Sequence, residues 1–201
     1  MYQNKYLKCF IAVLMSVAVS LSSFSQDKAA PKKEEKPPGE AEMMELAKPG
    51  ENHKLLAEGV GNWTYTLKWW MDPSAAPSES SGIAVTKEVL GGRYFISEHT
   101  GKMMDMEFKG IATEGYDNVK KKFVSSWVDN MSTGIMLSEG TYDAASKTFT
   151  YRTEYEMMPG MKTKIRETIK ITDQDHRTFE FYENRGGTEV KTMEINYTRK
   201  S

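Results

Sequence analysis

GYDNVKKKFVSSWVDNMSTG, residues 115–134, reads as a turn that leads into a strand, and the rest of the chain repeats its plan. Asp117 and Asn118 have short polar side chains that hydrogen-bond to nearby backbone and tolerate left-handed conformations, so they suit a tight turn. Beyond them Phe123, Ser125, Trp127 and Asp129 alternate with Lys122, Val124, Ser126 and Val128, the period of two that a pleated strand imposes. Working outward, similar runs recur near 81–89, 93–100, 106–116, 134–142, 148–157, 162–172, 178–182 and 189–199. A first run opens at Trp63, where Tyr65, Leu67, Trp69 and Met71 alternate with Thr64, Thr66 and Lys68. The links carry turn residues, at Gly91-Gly92, Asp117-Asn118, 143–147, Pro159-Gly160, 173–176 and Gly186-Gly187. None is long enough for a crossover helix, so strands adjacent in sequence are expected to pair antiparallel. Ten such strands predict an all-β, up-and-down meander that closes into a barrel and so leaves no free edge; two stacked sheets are the other arrangement open to them. Met43, Met44, Leu46, Leu55 and Leu56 lie among charged residues ahead of the first strand, and they predict a short N-terminal helix there.

Five separated stretches carry a resemblance. GYDN at 115–118, KKF at 121–123, SWVDNMSTG at 126–134, LGGR at 90–93 and NYTRK at 196–200 resemble, in order and over roughly 55–200, the secreted bacterial domain-of-unknown-function family numbered 1579. The resemblance implies a lipocalin-like barrel in an exported protein and carries no settled activity. Gly61-x-Trp63 at the start of the first strand, with Arg199 near the end of the last, is similar to the calycin pattern. There the tryptophan plugs one end of the barrel and the arginine lies over its ring. Such a cation over an indole face contributes about 0.5–2 kcal/mol.

The amino terminus has its own logic. Lys5 and Lys8 precede an uncharged, mostly apolar run from Cys9 to Leu21, and small residues at 22–25 follow, as in a cleaved secretory signal over 1–25. That apolar run is short against the roughly 20 residues a bilayer needs, so no stable membrane insertion is expected after cleavage. Cys9, the only cysteine, lies at the start of the run, not at its end where a lipid would attach. The processed chain would have no thiol, which excludes a disulfide, a cysteine nucleophile and cysteine-bound zinc. Residues 26–48 include a proline-rich charged stretch with too little apolar surface to offset ordering, and they are read as a disordered linker to a barrel domain at 49–201. Without residues 1–25 the chain has 25 basic and 28 acidic residues, a net charge of −3, which argues against nucleic acid as a partner. The export signal places the protein in the periplasm or outside the cell.

No stretch carries a specific catalytic or metal signature, and no cofactor is expected. Of the histidines, His53 falls in the helical segment and His176 in a polar turn, while His99 lies in a strand and is the one assigned to the interior. Glu154, Glu167 and Asp129 are carboxylates that a barrel would bury if they face inward, and Asp129 is equally placed to cap the turn at 130–132. The 14 methionines, with clusters at 103–106 and 157–161, suit irregular apolar pockets better than a copper site. Tyr197 and Arg199, two apart, have the spacing of a carboxylate-binding pair in fatty-acid-binding relatives but the reverse order, which favours the structural role for Arg199. The expected ligand-binding residues are Tyr65, Trp69, Phe95, His99, Trp127, Asp129 and Phe181, with Gly61, Trp63 and Arg199 closing the barrel. The expected partner is a small hydrophobic or amphipathic molecule. Two alternatives stand beside it: an enzyme using a buried carboxylate with His99, and a filled barrel that acts through its surface.

Overall fold

A computed structural model of the chain describes residues 39–200. The stretches read above as a signal and as the proline-rich part of a linker lie outside the described residues. Two short helices, α1 (Glu40–Leu46) and α2 (Glu51–Ala57), precede ten strands: β1 (Gly61–Trp69), β2 (Ser78–Val89), β3 (Tyr94–Met103), β4 (Met106–Asp117), β5 (Lys122–Asp129), β6 (Met136–Asp143), β7 (Thr148–Met158), β8 (Met161–Ile171), β9 (His176–Arg185) and β10 (Thr188–Arg199). Each strand pairs antiparallel with its sequence neighbours, and β1 pairs with β10 to close the barrel, Trp63 opposite Arg199 through Trp69 opposite Met193. The meander is closed, not two stacked sheets.

The strands follow their alternation. Along β1, Trp63, Tyr65 and Leu67 are buried while Thr64, Thr66 and Lys68 are exposed, as expected for a strand with one dry face. β1 ends at Trp69, two residues short of the apolar run, because Asp72 accepts from the backbone N–H and the hydroxyl of Ser74 and turns the chain. β9 is longer than its 178–182 core, since the flanking polar residues find partners on β8 and β10. α1 falls inside the stretch read as linker. It buries no residue, but Asn118 Nδ2 donates to the carbonyls of Leu46 and Lys48, so this part of the 26–48 segment is helical and held at its C-terminal end.

Because every connection is a hairpin, the turns alternate between the two ends. The β2–β3, β4–β5, β6–β7 and β8–β9 turns share one end with the start of β1 and the end of β10. That end is shut. Leu56 of α2 joins Phe95, Phe123, Phe149, Tyr151 and Ile171 in one buried cluster, flanked by Tyr116 and Tyr142, with Phe123 and Phe149 in edge-to-face contact at 5.0 Å. His53 is buried here too, edge-on to Tyr116, and its Nδ1 accepts the backbone N–H of Gly50. His99 is therefore not the only interior histidine: α2 folds back over the barrel end and takes His53 with it.

Candidate functional site

Trp63 sits at the closed end with 3% of its surface exposed. Its indole N–H donates to the carbonyl of Gly59 at 3.0 Å, and the Arg199 guanidinium lies 4.2 Å from its ring centre. The register supplies the reason, because Arg199 is directly opposite Trp63 across the closing seam. Its nitrogens also donate to the carbonyls of Val60, Glu58 and Gln174, so one side chain joins β10, the chain entering β1 and the β8–β9 turn. Gly61 has φ +138°, and a Cβ there would come within 2.5 Å of Arg199 Nη1; only glycine leaves space for the clamp.

Above this floor the barrel is hollow. A cavity of about 460 Å³ is lined by Tyr65, Trp69, His99, Trp127, Asp129 and Phe181, together with Trp63, Ala112, Tyr155, Phe179 and Tyr197. It reaches residues at the opposite end, among them Met103, Met131, Ser132 and Met136 beside the β3–β4 and β5–β6 connections, which form its mouth. Six of the seven residues expected to bind a ligand thus share one cavity. Phe95 does not. It is 2% exposed inside the closed-end cluster, because its position on β3 puts it level with α2, two residues below Ser97 and four below His99. Phe123 is displaced from the wall for the same reason, while Ser125, Trp127 and Asp129 above it on β5 face the cavity.

The middle of the wall is an aromatic girdle around His99. Its ring lies 5.4 Å from that of Trp127, 5.9 Å from Tyr65 and 6.0 Å from Tyr197, and its Nε2 is 3.2 Å from the Tyr197 hydroxyl. Nδ1 is buried without a hydrogen-bond partner. Burial brings the imidazole down to about 4, against a weaker opposing pull from the Ser97 backbone, so the ring is neutral at physiological pH. Burial raises the Tyr65 and Tyr197 hydroxyls as well. The Trp127 indole N–H donates to Asp129 Oδ2 at 2.7 Å, while Asp129 Oδ1 accepts the Met131 backbone N–H at 2.9 Å. Asp129 is both a wall residue and the cap of the turn that follows. Trp127 rests on Gly110 of β4, where a Cβ would lie 2.4 Å from its ring, and Tyr65 rests on the paired Gly82 and Gly101. Mid-strand glycines of this kind signal a large ring pressed flat on the wall.

Deeper lies a set of polar groups. Of them only Glu167 was singled out from the sequence as a candidate for burial. Tyr151 donates from its hydroxyl to Glu114 Oε1 at 3.2 Å. Burial raises Glu114, opposed by that hydrogen bond and by the Arg177 charge. Glu167, 7% exposed, is pushed up to about 7 by burial, against a hydrogen bond from Ser138 and with the Glu114 charge adding to the rise. Arg177 lines the same space, 5.1 Å from the Trp63 ring centre on the far side of the barrel seam from β1. A sequence signal for it exists: Arg177, Phe179, Phe181 and Glu183 alternate along β9, so the apolar face marked by the two phenylalanines carries Arg177 inward. Glu154, in contrast, is exposed and 3.8 Å from Lys162. His176 is exposed beside Asp173. Among the described residues no group of three or more histidine, cysteine or acidic side chains is placed to hold a metal ion, and no helix is long and apolar enough to cross a membrane.

The fold and the cavity have relatives. The structure is similar to that of the S-type phycobiliprotein lyase CPES from Guillardia theta, with a TM-score of 0.55, 14% identity, and 75% of this chain and 93% of that chain covered. At that identity the likeness concerns the fold, a lipocalin-like barrel. No curated protein matches the chain. The model of the family described as "Protein of unknown function (DUF1579)" matches residues 48–199, the helix-capped barrel with both closure residues and the whole cavity wall, and the chain belongs to that family.

Proposed function

We propose that this chain is an exported binding protein that holds one small hydrophobic or amphipathic molecule in the barrel. The observation that carries the reading is the cavity itself: about 460 Å³, open at one end, with an aromatic girdle at mid-height and a lining surface that is predominantly apolar. Pockets for small molecules fall in the range of roughly 300–1,000 Å³ with that composition. Methionines 103, 131 and 136 at the mouth supply flexible, polarizable side chains that adapt to an entering ligand. The hydrogen-bond partner of His99 is a tyrosine hydroxyl, not a carboxylate. That favours a recognition role over the acid–base pair an enzyme would need. Export rests on the lysines, apolar run and small residues of 1–25, and the amino-terminal residue of protein isolated from its own cell tests it directly.

Titration of tryptophan emission tests the binding reading. An environment-sensitive apolar dye, followed by a panel of fatty acids, isoprenoids and haem, is expected to give a saturable change for at least one member. Trp127→Ala should weaken that binding about ten-fold or more, the loss of one stacked aromatic contact of roughly 1.5 kcal/mol or above. Ala112→Trp, which fills the space facing Trp127, should abolish it while leaving the far-ultraviolet circular dichroism of the strands unchanged. Absence of saturation across the panel overturns the reading.

A further inference from the structure

The closed end of the cavity contains a cation, near the face of Trp63, whose hydrogen-bond donors barrel closure leaves unfilled. Arg199 spends its donors on three backbone carbonyls. Arg177 does not: its Nε is buried with no hydrogen-bond partner, and among the described residues its guanidinium has no ion-pair partner within the 4.0 Å that defines one. It opens β9 opposite Tyr197 on one side and Ile171 on the other, and it lines the cavity beside Trp63. The anionic groups that act on it do so at longer range. Glu114 is engaged by the Tyr151 hydroxyl, and burial favours its uncharged form. A desolvated guanidinium with unfilled donors is costly, and its planar fork matches a carboxylate bound through two oxygens.

Arg177 lies six residues from Glu183 on β9, and both residues line the cavity. Six residues span about 20 Å along a strand, or about 15 Å along the axis of a barrel whose strands tilt roughly 40°. That depth, aromatic in its middle, suits an extended medium-length acyl chain.

We propose that Arg177 anchors the carboxylate of an amphipathic monocarboxylic acid at the floor of the cavity, with the apolar tail rising past Trp127 to the methionines of the mouth. The assignment rests on the cavity-binding reading above and deepens it by naming the ligand class and its orientation. It also makes Arg177 a binding residue, in contrast to Arg199, which closes the barrel.

Calorimetric titration of the unmodified protein with dodecanoate and with 1-dodecanol, which share a chain and differ in the head group, tests it. The acid is expected to bind at least about ten-fold more tightly than the alcohol, the scale of one charge-assisted hydrogen-bonded pair. Arg177→Gln should bring that ratio close to one. Equal affinities in the unmodified protein overturn the anchor and leave the cavity reading intact. A ratio that survives Arg177→Gln also overturns it and moves the carboxylate to another cation, such as Lys102 at the mouth. If neither compound binds, the cavity reading fails and the anchor with it. Should Arg177→Gln lose the fold by circular dichroism, Arg177→Lys takes its place. A point charge without the fork should then cut the ratio at least about three-fold, and no change counts against the proposal.

Discussion

Glu167 holds its proton more tightly in the folded chain than in the unfolded one, with its carboxyl raised from 4.5 to about 7. Between those values the folded state carries the extra proton, so stability falls as pH rises through the window, by about 3 kcal/mol in all, and levels off above it. His99 works in the opposite sense. Lowered from 6.5 to about 4, it makes the folded state the one with fewer protons, so stability rises with pH over that window by about 3 kcal/mol. The two slopes overlap and oppose, and the unmodified protein should show little dependence on these groups between about pH 4.5 and 6.5. Each single variant exposes the other group. Urea unfolding of Glu167→Gln should show stability climbing through that range, and His99→Gln should show it declining. A flat profile in both variants would mean that neither side chain is as desolvated as its position on the wall requires. The sequence marked His99 and Glu167 as candidates for burial, since each sits mid-strand. It did not pair their opposite responses, because depth within the barrel sets the desolvation of both.

At the scale of elements, some turns carry the residues their backbones ask for, while Leu90, Met104, Lys121 and Lys147 take positive φ without being glycine, asparagine or aspartate. Gly186-Gly187 joins β9 to β10 with both φ values positive, the mirror-image turn that matches the twist of paired strands. The β3–β4 hairpin adopts the same geometry with Met104 at φ +50° and Asp105 at φ +63°, closed by Met103 opposite Met106. Aspartate tolerates that region, whereas methionine there is strained by about 1 kcal/mol. The sequence therefore carries no turn signal at this position, although the strands on either side are plain. Met104→Gly should relieve the strain and change stability upward by about 0.5–1 kcal/mol, less whatever the greater freedom of glycine costs in the unfolded chain. Met104→Asn, which accepts the left-handed region without that freedom, should do better. Chemical denaturation of both variants decides it, and a loss of stability in each would count against the two-residue turn.

For the molecule as a whole, closure depends on a seam of seven facing pairs between β1 and β10, beginning with Trp63 opposite Arg199. Arg199→Ala removes the nearer of the two cations from the Trp63 ring and leaves three carbonyls without its donors, and it should lower stability by about 1–3 kcal/mol. Arg199→Lys keeps the charge but not the fork, so it should recover only part of the loss. Thermal melts of the three proteins measure this, and coincident transitions would separate the clamp from the stability of the barrel.

Strand number, order and antiparallel pairing were determined by the sequence alone, because a period of two and a tight turn are properties of a few consecutive residues. The closing pair was legible too, since Trp63 and Arg199 lie at the two ends of a meander that must meet. Tertiary structure decided what lies inside. Phe123 and Trp127 share one face of one strand, yet the first belongs to the packed floor and the second to the cavity wall. The difference arises at the height where α2 and the rings of β3, β5 and β7 meet, and no window of sequence contains that height. Whether the centre is filled or hollow depends on the side-chain volumes that ten strands bring to the same level, and so does the isolation of Arg177. Those sums run across residues more than a hundred positions apart, and only the closed barrel brings them together.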